Sequence, residues 1–98
     1  MSEIIAASGP LVRWNGDKAS WHFVMLTGDV VGEIHIMSMG MTGGFGSVKV
    51  RATIGDTRWS TSLFPSKKSA AFLLPVKAAV RKVEQLVEGA IVSVKLEI

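Results

Sequence analysis

The chemistry available to this chain lies mainly in its cations and hydroxyls. Between Gly46 and Pro65, in GSVKVRATIGDTRWSTSLFP, residue types alternate with period two on both sides of Gly55-Asp56. That pattern predicts a β-hairpin whose register follows from a two-residue turn. Ile54 then faces Thr57, and Val48, Val50 and Ala52 face Leu63, Thr61 and Trp59 on an apolar side. Lys49, Arg51 and Thr53 face Ser62, Ser60 and Arg58 on the other side, with no carboxylate among them. Each of these cations and hydroxyls can donate a hydrogen bond to a phosphate or carboxylate oxygen. A solvated sheet face has the same composition, so the pattern by itself leaves both readings open. A nucleic-acid surface usually adds exposed aromatics or a denser basic stripe. Trp59 is expected to point inward, so nucleic acid is a weakly supported partner.

A second cluster stands at the start of the last expected helix. Pro75 suits a first helical turn, where its missing N–H leaves nothing unsatisfied. Lys77 then sits in that first turn, where the helix dipole disfavours a cation, and Arg81 follows on the same side. No Ser, Thr, Asp or Asn stands ready to cap, since Leu74 and Pro75 precede the helix. A bound anion would relieve all three conflicts, as would an internal carboxylate from Asp29, Glu33 or the C-terminus of Ile98.

Other chemistries find little support. TGGFGS lacks the Gly-Lys-Ser/Thr ending of a phosphate loop, and a strand follows it where that motif requires a helix. His22 and His35, the only histidines, have no His, Cys or paired carboxylate at ligand spacing, so no metal or other cofactor is expected. His22 reads as a satisfied strand residue rather than a catalyst. Ser60, Ser62 and Ser66 lack the framing residues of a nucleophile, and Asp17, Asp29 and Asp56 occupy turn positions. No acid–base pair is visible, so an enzyme is not expected. Met37, Met39 and Met41 suit core filling or an adaptable contact surface, which keeps a homodimer open.

The elements that must position these groups follow from periodicity and turn signals. Leu11 to Trp14, Asn15-Gly16-Asp17 and Ser20 to Leu26 predict a first hairpin. Asp29 is expected to cap a short helix reaching about Met39, with Val30, Ile34 and Met37 on its buried side. Gly40 to Gly46 is expected to be a glycine-rich connection into the central hairpin, and Ser66-Lys67-Lys68-Ser69 a polar turn. Ala71 to Leu74 reads as a short strand. Val76, Ala79, Val80, Val83, Leu86 and Val87 form one apolar stripe of the last helix, which Gly89 should end. Ile91 to Ile98 alternate as a closing strand. The order β-β-α-β-β-β-α-β, mainly antiparallel, suits a small closed or split α+β barrel with helices over its openings.

Composition sets the frame around these elements. The 98 residues, expected to form one domain, are 48% hydrophobic and 19% charged, which indicates a folded chain with apolar surface to cover. With no cysteine, disulfides and thiolate sites are excluded. No signal peptide or membrane-length apolar run is visible, so a cytoplasmic protein without membrane association is expected. The net charge of +3 permits a small anion or acidic partner without demanding one.

The strings WHFV, GFGSVKV, IGDTRWSTSLFP and LPVKAAVRK, in that order and followed by a glycine and an alternating strand, resemble the family called domain of unknown function 1905. The resemblance spans about Leu11 to Ile98 and includes a tryptophan hairpin, supplied here by Trp14 and Trp21. It departs mainly between Ile36 and Gly46. It implies a closed or double-split β-barrel with capping helices, an architecture shared with swapped-hairpin DNA-binding antitoxins and transition-state regulators. Some relatives carry the domain beside a region associated with bacteriocin protection. Fold analogy of this kind does not assign an activity. The expected function is therefore a non-catalytic binding domain for an anionic ligand or partner. Lys77, Arg81, Lys49, Arg51, Arg58, Ser60 and Ser62 are its candidate contacts. A dimerising interaction module is the alternative; a nucleic-acid-binding barrel or an enzyme with an unfamiliar site follows behind.

Overall fold

A computed structural model describes residues 4–40, 46–66 and 70–98. Along the chain lie β1 (Ile4–Asn15), β2 (Ser20–Leu26), α1 (Asp29–Met37), β3 (Val48–Ile54), β4 (Thr57–Ser66), β5 (Ala71–Pro75), α2 (Ala78–Val83) and β6 (Ile91–Glu97). The strands close into a barrel in the order β1-β2-β5-β4-β3-β6, antiparallel at every seam. The expected fold class and element order are both present. The glycine-rich connection and the Ser66-Ser69 turn fall largely outside the described residues, as does Met41.

The central hairpin has the register written from its alternation, from Ile54 opposite Thr57 out to Val48 opposite Leu63. Gly55 takes φ +58° while Asp56 does not take a positive φ, the pattern of a type II′ turn. Val48, Val50, Ala52, Ile54, Trp59 and Leu63 point into the core, where they meet Leu11, Val24, Leu26, Phe72, Leu74, Val92, Val94 and Leu96. Such burial is the main stabilising contribution, at about 25 cal/mol per Å² of apolar surface.

β1 is much longer than the Leu11–Trp14 segment expected. Its first half pairs with β6 and its second half with β2, so this one strand joins the two sides of the barrel. The Ala6-Ala7-Ser8-Gly9-Pro10 stretch carries no strand signal of its own; pairing with β6 supplies the order that local propensity lacks. At the crossover, a Cβ on Gly9 would run into the backbone carbonyl of Met25. Only glycine admits that approach of β1 to the end of β2.

Both helices are shorter than their patterns suggest. Gly28, at φ 80°, occupies the cap of α1 instead of Asp29, which becomes the first helical residue and places its charge in the first turn. α1 stops at Met37, and the Ser38 hydroxyl donates to the Ile34 carbonyl at 2.6 Å. The apolar stripe expected through Leu86 and Val87 is not one helix face. α2 ends at Val83, Gln85 takes φ 54°, and Val83 and Val87 stand exposed. Tertiary bonds redirect the chain there: Thr57 donates to Glu84 at 2.6 Å, and Leu11 and the Gly89-Ala90 backbone exchange two hydrogen bonds. Gly89 (φ 87°) therefore serves a later turn, not the helix end.

Candidate functional site

β5 leaves the sheet early, and its departure opens a cleft. Its last ladder partner on β4 is Phe64, opposite Leu73. Continuing that antiparallel register would set Pro75 opposite Ser62 and Lys77 opposite Ser60. Proline has no N–H to give the ladder, and pairing with β4 stops there. On its other side the chain holds to β2 slightly longer, since the Val76 N–H donates to the His22 carbonyl at 2.9 Å. Lys77 is still extended (φ −71°, ψ 159°), and its carbonyl then accepts the first bonds of α2, from Val80 and Arg81.

The opening between β4 and the β5–α2 junction is a cleft of about 420 Å³, lined by Trp21 and His22 of β2, Trp59, Ser60 and Thr61 of β4, and Lys77 and Arg81. Its size falls within the roughly 300–1,000 Å³ of small-molecule sites. With Ser20 included, the lining holds two cations, three hydroxyls and, among the described residues, no carboxylate. Lys77 is exposed and Arg81 half-buried. Arg81 folds back so that its Nε donates to the Val76 carbonyl at 3.3 Å, leaving its terminal nitrogens for another acceptor.

His22 differs from its sequence reading. The alternation of β2 puts it on the same side of the strand as Val24 and Leu26, and it lines the cleft. Its Nδ1 is buried and has no hydrogen-bond partner among the described residues. Burial holds its pKa below the ordinary 6.5; the charges of Arg81 and Arg13 push the same way, and Glu88 opposes them. A ring nitrogen in this position is a polar group awaiting a partner. Periodicity placed His22 on a strand, but which strand end lies beneath the cations is a property of the closed barrel.

The two clusters seen in sequence are thus partly joined and partly separated. Ser60 comes together with Lys77 and Arg81. Lys49, Arg51 and Ser62 line a second, more open groove of about 680 Å³ with Ser60, Thr61, Phe64, Glu97 and Ile98. That groove corrects the carboxylate-free reading of the hairpin: β6 lies beside β3 and sets Glu97 opposite Arg51. β6 also sets Lys95 opposite Thr53. Arg58 faces Thr53 near the hairpin turn. The start of α2 also differs from the expectation. Lys77 precedes the first turn instead of lying in it, and α2 has only six residues, too few for a substantial dipole.

Exposed aromatics, absent from the sequence expectation, are present. Trp14 and Trp21 lie opposite each other across the first hairpin, 57% and 46% exposed, with ring centroids 5.0 Å apart. A Cβ on Gly16 would press into both indoles, so the turn glycine gives the pair its room. Among the described residues, no group of three or more His, Asp or Glu is arranged to hold a metal ion. Among them, too, no helix is long and apolar enough to cross a membrane.

No curated protein and no solved structure matches the chain. The family model Domain of unknown function (DUF1905) matches residues 8–96, from the crossover half of β1 into the last strand. That span takes in β2 to β5, most of β1 and β6, both helices and every residue of the cleft, and the chain belongs to this family.

Proposed function

We propose that this protein is a non-catalytic binding domain whose ligand carries an anionic group into the cleft between β4 and the start of α2. One observation carries the reading. Lys77, Arg81, Ser60 and Thr61 line one cleft together with His22, whose Nδ1 is buried, and among the described residues the lining holds no carboxylate and that Nδ1 has no partner. Charge-assisted bonds from Arg81 and Lys77 hold the anion, and Trp21 contacts the body of the ligand. Lys49 and Arg51 contribute less, because Glu97 shares their groove.

Inorganic pyrophosphate and citrate, titrated at low salt and followed by amide and indole NMR shifts, test the proposal. Shifts centred on Ser60, Trp21, His22 and Lys77 are expected, and Lys77→Ala or Arg81→Ala should each weaken binding several-fold. Shifts confined to Lys49 and Arg51 would transfer the site to the open groove. No shift with either probe, together with unchanged behaviour of both variants, would show the cleft is not an anion site.

A further inference from the structure

The same cleft exposes something a closed barrel ordinarily removes, a length of free strand edge. In a two-residue hairpin the residues flanking the turn form a hydrogen-bonded pair, and pairing alternates outward from it. Ile54 and Thr57 are that flanking pair, so Trp59 and Thr61 also turn their backbone groups toward β3. Arg58, Ser60 and Ser62 turn theirs the other way, toward β5. The β5 side agrees with this parity. Val76 donates to His22 on β2, which leaves Leu73 and Pro75 directed at β4.

β5 stops pairing with β4 at Leu73–Phe64, so from Ser62 back to Arg58 the β4 edge has no strand beside it among the described residues, and its middle residue, Ser60, lines the cleft. Among the described residues, the Ser60 N–H and carbonyl have no backbone partner. This edge runs for about 13 Å at ~3.3 Å per residue, the length of a short extended peptide. It is bordered by Lys77 and Arg81 across the cleft and ends at Arg58, and among the described residues the cleft lining contains no carboxylate. Trp21 forms an apolar wall beside it.

We infer that the ligand of this cleft is an extended acidic peptide segment, added as a strand to the β4 edge between Arg58 and Ser62. This deepens the anion-binding reading and rests on it. Main-chain bonds to Ser60 supply register, the cations select acidic side chains, and Trp21 takes an apolar side chain between them. A free phosphate or carboxylate satisfies the cations but leaves the edge unpaired. The edge is what favours a peptide over a small anion.

The test uses the full chain with the blocked peptide acetyl-Glu-Val-Glu-Val-Glu-amide, its N-methylated form, its Lys-for-Glu counterpart and pyrophosphate. Binding is followed by calorimetry and by amide hydrogen exchange. In the free protein the Trp59 and Thr61 amides should be protected and the Ser60 amide should exchange quickly. Binding of the acidic peptide should protect Ser60, and N-methylation should weaken affinity about tenfold or more. Ser60→Pro removes a backbone donor that points away from β3 together with the Ser60 hydroxyl, and should weaken the acidic peptide more than Ser60→Ala, which removes the hydroxyl alone. If the N-methylated peptide binds as well as its parent, or the lysine peptide as well as the acidic one, strand addition of an acidic segment is overturned. If pyrophosphate binds and the acidic peptide does not, the inference fails while the anion site stands. If neither binds, both fail.

Discussion

His22 is the residue whose role changes most between sequence and structure. As a strand histidine it suggested only an ordinary side chain, but it lines the cleft with Nδ1 buried and, among the described residues, unpaired. Its folded pKa is lowered by burial first, then by Arg81 and Arg13 against Glu88. The unfolded chain therefore holds more protons on this group than the folded one at mildly acid pH. Its contribution to stability is complete above the ordinary value of 6.5 and is lost as pH falls through that value toward the lower folded one. His22→Phe should remove this acid-side loss. Thermal unfolding of the two proteins from about pH 8 to about pH 5, across the imidazole range, should give melting curves that diverge as pH falls. Parallel curves would mean that His22 keeps an ordinary pKa. An anion in the cleft adds negative charge beside the ring and favours its protonation. Anion affinity should thus rise as pH falls through the same window, and His22→Phe should flatten that dependence.

At the scale of elements, α2 and the chain after it show how tertiary contacts override a periodic pattern. Six apolar positions from Val76 to Val87 have helical spacing, yet the helix ends at Val83. The Glu84 carboxylate is held by the Thr57 hydroxyl beside the Gly55 turn, tying the end of α2 to the central hairpin. Thr57→Val keeps the side-chain shape and leaves the partly buried carboxylate without its donor. A loss of about 1 kcal/mol is expected, and Glu84→Gln combined with Thr57→Val should cost less than the two single changes added together. A denaturant-unfolding double-mutant cycle measures this; strict additivity would mean the contact does not couple the elements. The hairpin itself was fully legible. Period two fixes which side chains share a face, and the glycine turn fixes the pairing, so its register required no knowledge of distant residues.

For the molecule as a whole, closure depends on β1 serving two partners. Gly9 is where the strand passes from β6 to β2, against the Met25 carbonyl. Gly9→Ala forces backbone against backbone and should destabilise by about 2–3 kcal/mol or more. For a domain of this size each kcal/mol lowers Tm by roughly 4–8 °C. An unchanged Tm would show that the two sides of the barrel are not pressed together there. A Gly16→Ala control meets the indoles of Trp14 and Trp21 at an exposed hairpin turn, where side chains can shift, and should cost much less.

The sequence by itself determined the strand and helix order, the central hairpin register, the inward placement of Trp59 and the family. These depend on local periodicity, turn chemistry and strings of residues that can be read in order. It also picked out Lys77, Arg81 and Ser60 as groups able to hold an anion. Only the tertiary structure decided that Ser60 belongs with Lys77 and Arg81, that Glu97 stands beside Arg51, and that His22 lines the same cleft with its Nδ1 buried. Those placements follow from which strands become neighbours when the barrel closes. Residues far apart in the chain settle that through pairing and burial, and no local pattern encodes it.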